Sequence, residues 1–162
     1  MKPIYLNLIA PFLLLQGSLL AHCQVPCGIY NDAARIIQIQ EDFSTIQKAM
    51  TKIKELSQQQ DATSLNQLTR WIITKEDHAS KIQKVVSDYF LTQRIKAKTE
   101  GSEFDTYVKQ TTTLHQVLVS AMKCKQTVDK IEPELVSTLL NQFVELYFDE
   151  HGKEHLNTIQ KG

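Results

Sequence analysis

Apolar residues recur every three or four positions in four stretches of this chain, which is the spacing that places them on one face of an α-helix. No stretch shows the strict alternation that is typical of a half-buried strand. Four such faces are buried together when the helices pack around a common core. The sequence therefore predicts an all-α fold, an antiparallel four-helix bundle over about residues 33–150. The stripes are Ile36, Ile39, Phe43, Ile46, Met50 and Ile53; Leu65, Leu68, Ile72, Ala79, Ile82, Val86 and Tyr89; Leu114, Leu118, Ala121 and Val128; and Val136, Leu139, Leu140, Phe143 and Tyr147.

Three local features refine this prediction. Lys75 interrupts the second stripe at a position where an apolar residue is expected, and Ser64 is expected to be the N-cap of that helix. Cys124 falls within the third stripe, which favours a small buried thiol. The segment His151–His155 matches the H-x-x-E-H pattern of one class of zinc peptidases, but its place near the C-terminus favours a solvated tail.

Length and charge narrow the class of protein. A chain of 162 residues favours one compact domain. Its 18 basic residues balance its 18 acidic residues, so no net field attracts nucleic acid or an anionic membrane. Neither is expected as a partner.

The first 21 residues are typical of a targeting segment. Lys2 precedes a mostly apolar run over residues 6–15, and small residues lead to a cleavable Ala21. This run is shorter than the ~20 residues that span a bilayer, so no membrane association is expected after processing. We expect a processing peptidase to remove residues 1–21. The remaining domain, residues 22–162, would then be exported to the periplasm or secreted; a cytoplasmic protein with a cleaved propeptide is the alternative.

Cleavage after Ala21 would make the segment 22–30, here called the hook, the start of the chain. His22 would then offer an amine and an imidazole, and Cys23 a backbone amide nitrogen and a thiolate. Cys27 would add a second thiolate after the turn at Pro26. Such nitrogen and sulfur donors favour square-planar Ni(II) or Cu(II) over tetrahedral Zn(II). A disulfide between Cys23 and Cys27 is the alternative use of the same sulfurs.

The hook resembles the start of nickel-containing superoxide dismutases, His-Cys-Xaa-Xaa-Pro-Cys-Gly-Xaa-Tyr, at every fixed position. The resemblance continues in the segments 66–71, 75–79, 87–90 and 114–116. It implies a four-helix bundle assembled as a homohexamer, with one nickel ion per subunit held by His22, Cys23 and Cys27. It also implies superoxide as the substrate. Tyr30 would restrict the open face of the metal, and the His22 imidazole would serve as an axial ligand during turnover.

Some positions depart from the pattern of the family. Asn31-Asp32 stands where many members have Asp-Pro, so a less rigid exit from the hook is expected. The residues that would hold the axial imidazole fall near Gln38 or Glu41 and near His78.

Two other functions remain open at this stage. One is a non-enzymatic secreted bundle with a Cys23–Cys27 disulfide, and the other is a metal carrier that binds without turnover.

Overall fold

The computed structural model describes residues 30–161, of which the side chain of the last is not described. Its elements are α1 (Asp32–Leu56), α2 (Ala62–Lys84), a π-helical segment (Val85–Arg94) that continues α2, α3 (Phe104–Gln126), α4 (Ile131–Tyr147) and α5 (Glu150–Lys161). No strand occurs in this part of the chain. The prediction of an all-α fold is confirmed.

Polar contacts between neighbouring helices show how they run. Along α1, Asp32 bonds to Tyr89 and Asp42 bonds to His78. As the residue numbers rise along α1, those of the partners on the π-segment and α2 therefore fall. In the same way Lys75 reaches Cys124, whereas Gln83 reaches Leu118. The contacts of Gln110 with Leu146 and of Lys123 with Glu132 give the same sense for α3 and α4. Successive helices are therefore antiparallel.

The predicted apolar stripes supply most of the core. Ile36, Ile39, Ile46 and Met50 of α1 are fully buried, as are several partners from the other helices. At one end of the core the rings of Phe90, Phe143 and Tyr147 lie 5.0–5.7 Å apart between centroids, in edge and stacked contacts. Burial of each large apolar side chain contributes about 1.5–3 kcal/mol, so this shared core is the main stabilising element.

The first half of the second stripe does not join this core. Leu65 is 49% exposed and Ile72 is 42% exposed, although their spacing matches that of the buried residues further along α2. Ser64 is not the N-cap either, because Asp61 caps α2 through its carboxylate and accepts from the backbone NH of Ser64 at 3.0 Å. Asp61 lies three residues before Ser64, where a carboxylate oxygen reaches the unpaired amides of the first turn.

The C-terminal segment, expected to be a solvated tail, is a helix with most of its side chains exposed to solvent. Helix α5 packs on α1, and its Leu156 is buried with 5% exposure. His151, Glu154 and His155 lie on the exposed part of this helix. A single buried leucine among polar residues is a weak sequence signal, which explains why the pattern was missed. None of the helices within residues 30–161 combines the length and apolar content needed to cross a bilayer.

Candidate metal centre

The predicted ligands His22, Cys23 and Cys27 lie outside the described residues, so their predicted role rests on the chemistry of their donor atoms. An amine, an imidazole and two thiolates form a set that fits nickel. Tyr30 is described and its side chain is 46% exposed. The chain divides into two units between Tyr30 and Asn31, and the helices of the described residues belong to the second unit.

The chain enters the bundle through a capped helix start. Asn31 is the N-cap of α1, and its side-chain oxygen accepts from the backbone NH of Ala34 at 3.0 Å. Asp32 follows in the first turn, where a negative charge interacts favourably with the helix dipole. The chain therefore enters α1 through a side-chain cap at Asn31 and an acidic residue in the first turn. The expectation of a less rigid exit stays a prediction.

The carboxylate of Asp32 joins three parts of the bundle. Its Oδ1 accepts from the Tyr89 hydroxyl at 2.6 Å and from Arg94 Nε at 2.8 Å. Its Oδ2 accepts from Arg94 Nη2 at 2.7 Å and from the Tyr147 hydroxyl at 2.8 Å. The arginine contact is bidentate, the geometry in which a guanidinium pairs most strongly with a carboxylate. We call Asp32, Tyr89, Arg94 and Tyr147 the Asp32 cluster.

The electrostatics of this cluster favour an ionised Asp32. Burial raises the pKa of its carboxyl group, but the hydrogen bonds from Arg94, Tyr89 and Tyr147 outweigh burial, and the net pKa is lowered. The pKa values of both tyrosines are raised well above the ordinary range, first by burial and then by their bonds to Asp32. The cluster therefore holds one carboxylate, one guanidinium and two neutral phenols at neutral pH.

A cleft of about 350 Å³ borders the cluster. Arg94 and Tyr147 line it together with Lys96, Lys98 and Glu103, and Lys98 pairs with Glu103 at 2.8 Å. Solvent therefore reaches one side of the cluster.

The π-helical segment carries two members of the cluster and was not predicted. Its hydrogen bonds span five residues, as in the bond from Ile95 NH to Phe90 O at 2.8 Å. The motif Ser87–Phe90, which resembles the family, lies inside it. Segments of this kind occur frequently at functional sites. The sequence holds no periodic signal for one, because its apolar pattern continues that of α2.

A second polar pair lies further along α1. His78 Nδ1 lies 2.6 Å from Asp42 Oδ1, and Asp42 is 5% exposed. Burial raises the pKa of Asp42 despite the bond to His78, and its Oδ2 is buried with no hydrogen-bond partner among the described residues. Three residues were expected near the axial imidazole. Gln38 accepts from Arg35 at 2.9 Å, Glu41 is exposed, and His78 is bonded to Asp42. The His22 imidazole lies outside the described residues, so this expectation stays a prediction.

The remaining candidate side chains are dispersed. Cys124 is a free, fully buried thiol, as predicted, and burial raises its pKa to about 11. Within residues 30–161, no group of three or more His, Cys, Asp or Glu side chains could hold a metal ion.

A comparison with protein families gives one match. The family described as nickel-containing superoxide dismutase matches residues 18–151, a range that includes the hook and helices α1 to α4. No curated protein and no solved structure matched the chain significantly.

Proposed function

Because this chain belongs to the nickel-containing superoxide dismutase family, we propose that His22, Cys23 and Cys27 hold its nickel ion and that Tyr30 and His22 act in catalysis. The chain is a superoxide dismutase that converts two superoxide anions and two protons into dioxygen and hydrogen peroxide. The observation that carries the residue assignment is that the family match includes the one segment with two cysteines and a histidine within six residues.

Nickel supplies the one-electron chemistry by cycling between Ni(II) and Ni(III). The residues of the hook provide its surroundings. The thiolates of Cys23 and Cys27 would hold the ion and donate electron density that favours its higher oxidation state, and the His22 imidazole would add a further nitrogen donor. Tyr30 would restrict access to small anions and would orient water or peroxide through its hydroxyl group.

The assignment of ligands predicts that the three cysteines behave differently. Cys23→Ala and Cys27→Ala should each abolish nickel binding and superoxide turnover, because each removes one thiolate from the metal. Cys124→Ala makes the same chemical change in the core. This variant should keep nickel binding and superoxide turnover, with some loss of stability. Nickel content and pulse-radiolysis rates measure the outcome. Full activity in either hook variant would refute the assignment.

The amine ligand requires processing before His22. We propose that a peptidase removes residues 1–21 and that residues 22–162 form the mature domain. Export to the periplasm or outside the cell follows if the leader is a signal peptide, and a cytoplasmic location follows if it is a propeptide. Native mass spectrometry of the protein from its own cells tests this step. The measured mass should equal that of a chain starting at His22 with one bound nickel ion. One residue added before His22 should cost most of the activity.

We further propose a homohexamer, on the basis of the resemblance. Large apolar side chains exposed on the subunit surface are compatible with contacts between copies, and they include Leu65, Ile73 and Ile131 at 49%, 54% and 72% exposure. Native mass spectrometry of the nickel-loaded protein should give six chains and six nickel ions. A monomer at micromolar concentration would exclude this assembly.

Two other functions make different predictions for the same sample. A Cys23–Cys27 disulfide leaves one titratable thiol in the unfolded protein without reductant, whereas a nickel hook freed of its metal under anaerobic conditions gives three without reductant. A metal carrier binds nickel with the same stoichiometry but does not accelerate the decay of superoxide.

A further inference from the structure

The Asp32 cluster concentrates polar contacts where the chain leaves the hook. A carboxylate has about four lone-pair sites, and four donated hydrogen bonds of 2.6–2.8 Å reach this one. The donors come from residues 57, 62 and 115 positions away in the sequence. One side chain therefore ties the start of α1 to the π-segment and to the last residue of α4.

The position of Asp32 in the chain gives this contact its importance. It follows Tyr30 by two residues and Cys27 by five. Backbone bonds from α1 begin beside it, with Arg35 NH donating to Asn31 O at 3.2 Å. The short stretch between the second cysteine and α1 thus ends at a residue whose backbone and side chain are both fixed.

The π-segment makes this convergence possible. Tyr89 and Arg94 are five residues apart, which on an α-helix of 3.6 residues per turn would point them about 140° apart. A π-helix has a wider turn, in which each backbone hydrogen bond joins residues five positions apart. This turn brings Tyr89 and Arg94 onto one face. Thr92 and Gln93 support that turn by bonding to the carbonyl oxygens of Ser87 and Asp88, each five residues earlier.

We infer that Asp32 is a positioning residue for the metal hook, and that Arg94, Tyr89 and Tyr147 act through it by fixing where the hook joins the bundle. The inference rests on the proposed function. It assigns no contact with the metal or substrate to Asp32. Because α1 begins at a residue that is held by four hydrogen bonds, less conformational entropy is lost at this junction when the ligands close around nickel.

The size of the expected effect follows from the sensitivity of reactive sites to geometry. A displacement of about 1 Å in a catalytic group costs up to about 100-fold in rate. Loss of the charge on Asp32 weakens all four bonds at once but keeps the volume of the side chain. Tyr147→Phe removes one bond and leaves the bidentate arginine contact in place.

The test uses the processed protein, freed of metal and titrated with a nickel(II) salt. For Asp32→Asn we expect the nickel dissociation constant to rise about tenfold. After saturation with nickel, kcat/KM should fall about tenfold or more and the thiolate-to-nickel absorption bands should shift. Tyr147→Phe should change the same quantities in the same direction by about two- to threefold, and it keeps the test available if Asp32→Asn does not fold.

Ile53→Ala is the matched control. Ile53 is 8% exposed and lies 21 residues further along α1, about 30 Å away at 1.5 Å per residue. The Ile53→Ala substitution lowers stability at the far end of the same helix and should leave the nickel affinity, the absorption spectrum and kcat/KM unchanged. Equal effects in Ile53→Ala and Asp32→Asn would overturn the inference, because the cause would then be general destabilisation.

Two further outcomes separate this inference from the proposed function. Wild-type nickel affinity and spectrum in both Asp32→Asn and Tyr147→Phe would overturn the positioning role and leave the hook intact. Nickel bound equally well by Cys23→Ala would overturn the ligand assignment, and the positioning role with it.

Discussion

Lys75 is a buried cation on a helix face where the sequence pattern predicts apolar residues. It is 4% exposed, and its ammonium group donates to the carbonyl oxygens of Cys124, at 2.9 Å, and Lys125. Glu76 Oε1 lies 3.1 Å from the same nitrogen. These carbonyls belong to the last turn of α3, where no amide within the helix remains to bond them. Lys75 therefore serves as a C-terminal cap donated by the neighbouring helix.

Replacing this lysine tests the role of the cap. We expect Lys75→Met to keep the apolar stem but lower the free energy of unfolding by about 1–3 kcal/mol, because two carbonyls lose their donor. Lys109→Met, an exposed change on α3, should stay within about 0.5 kcal/mol of wild type. Urea denaturation followed by circular dichroism measures both. Equal stability of the two variants would show that water replaces the ammonium group.

At the scale of the element, α5 is held to the bundle by few side chains. Leu156 is 5% exposed against α1, while Ile159 on the same helix is 38% exposed. Leu156→Ala should lower the free energy of unfolding by about 2–3 kcal/mol, whereas Ile159→Ala should cost less than about 1 kcal/mol. Hydrogen exchange of the α5 amides should rise in the first variant alone. The same cost for both variants would show that Leu156 does not hold α5 to α1 more strongly than Ile159 does.

The helices were predictable from the sequence because they depend on local patterns. The candidate ligands were assigned from a local pattern too, and that assignment stays a prediction. The stripe from Ile36 to Ile53 has one period, and the hook is a continuous motif of nine residues. The Asp32 cluster has no such signal. Its members are separated by up to 115 positions, and two of them meet only because the backbone of Val85–Arg94 departs from the α-helical period. The burial of Lys75 likewise depends on where another helix ends.

At the scale of the whole molecule, the Asp32 cluster links global stability to pH. The pKa of Asp32 is lower in the folded protein than its ordinary value of 3.8. A carboxyl group of this kind contributes stability that is fully present above that value and is lost as the pH falls through the folded pKa. The bundle should therefore lose this contribution only in strong acid.

The pH dependence of unfolding checks this sign. At pH 7 we expect Asp32→Asn to be about 1–3 kcal/mol less stable than wild type, since its bonds to a charged group are lost. As the pH falls below 3.8 and through the lowered pKa of folded Asp32, the difference should shrink towards zero, because the wild-type carboxyl group also becomes neutral. Asp77→Asn, an exposed change on α2, is the control and should match wild type at both pH values. A difference that grows in acid would contradict the lowered pKa.

The burial of Cys124 has a consequence for the working lifetime of the enzyme. Each catalytic cycle releases hydrogen peroxide beside the protein that made it, and peroxide oxidises the thiolate form of cysteine rather than the thiol. With a pKa of about 11, only about one Cys124 side chain in 10,000 is ionised at pH 7. The sulfur of Cys124 is therefore protected from the hydrogen peroxide that the enzyme produces, as long as the bundle stays folded. Oxidative ageing should begin at sulfurs elsewhere in the chain and reach Cys124 only after the core has opened.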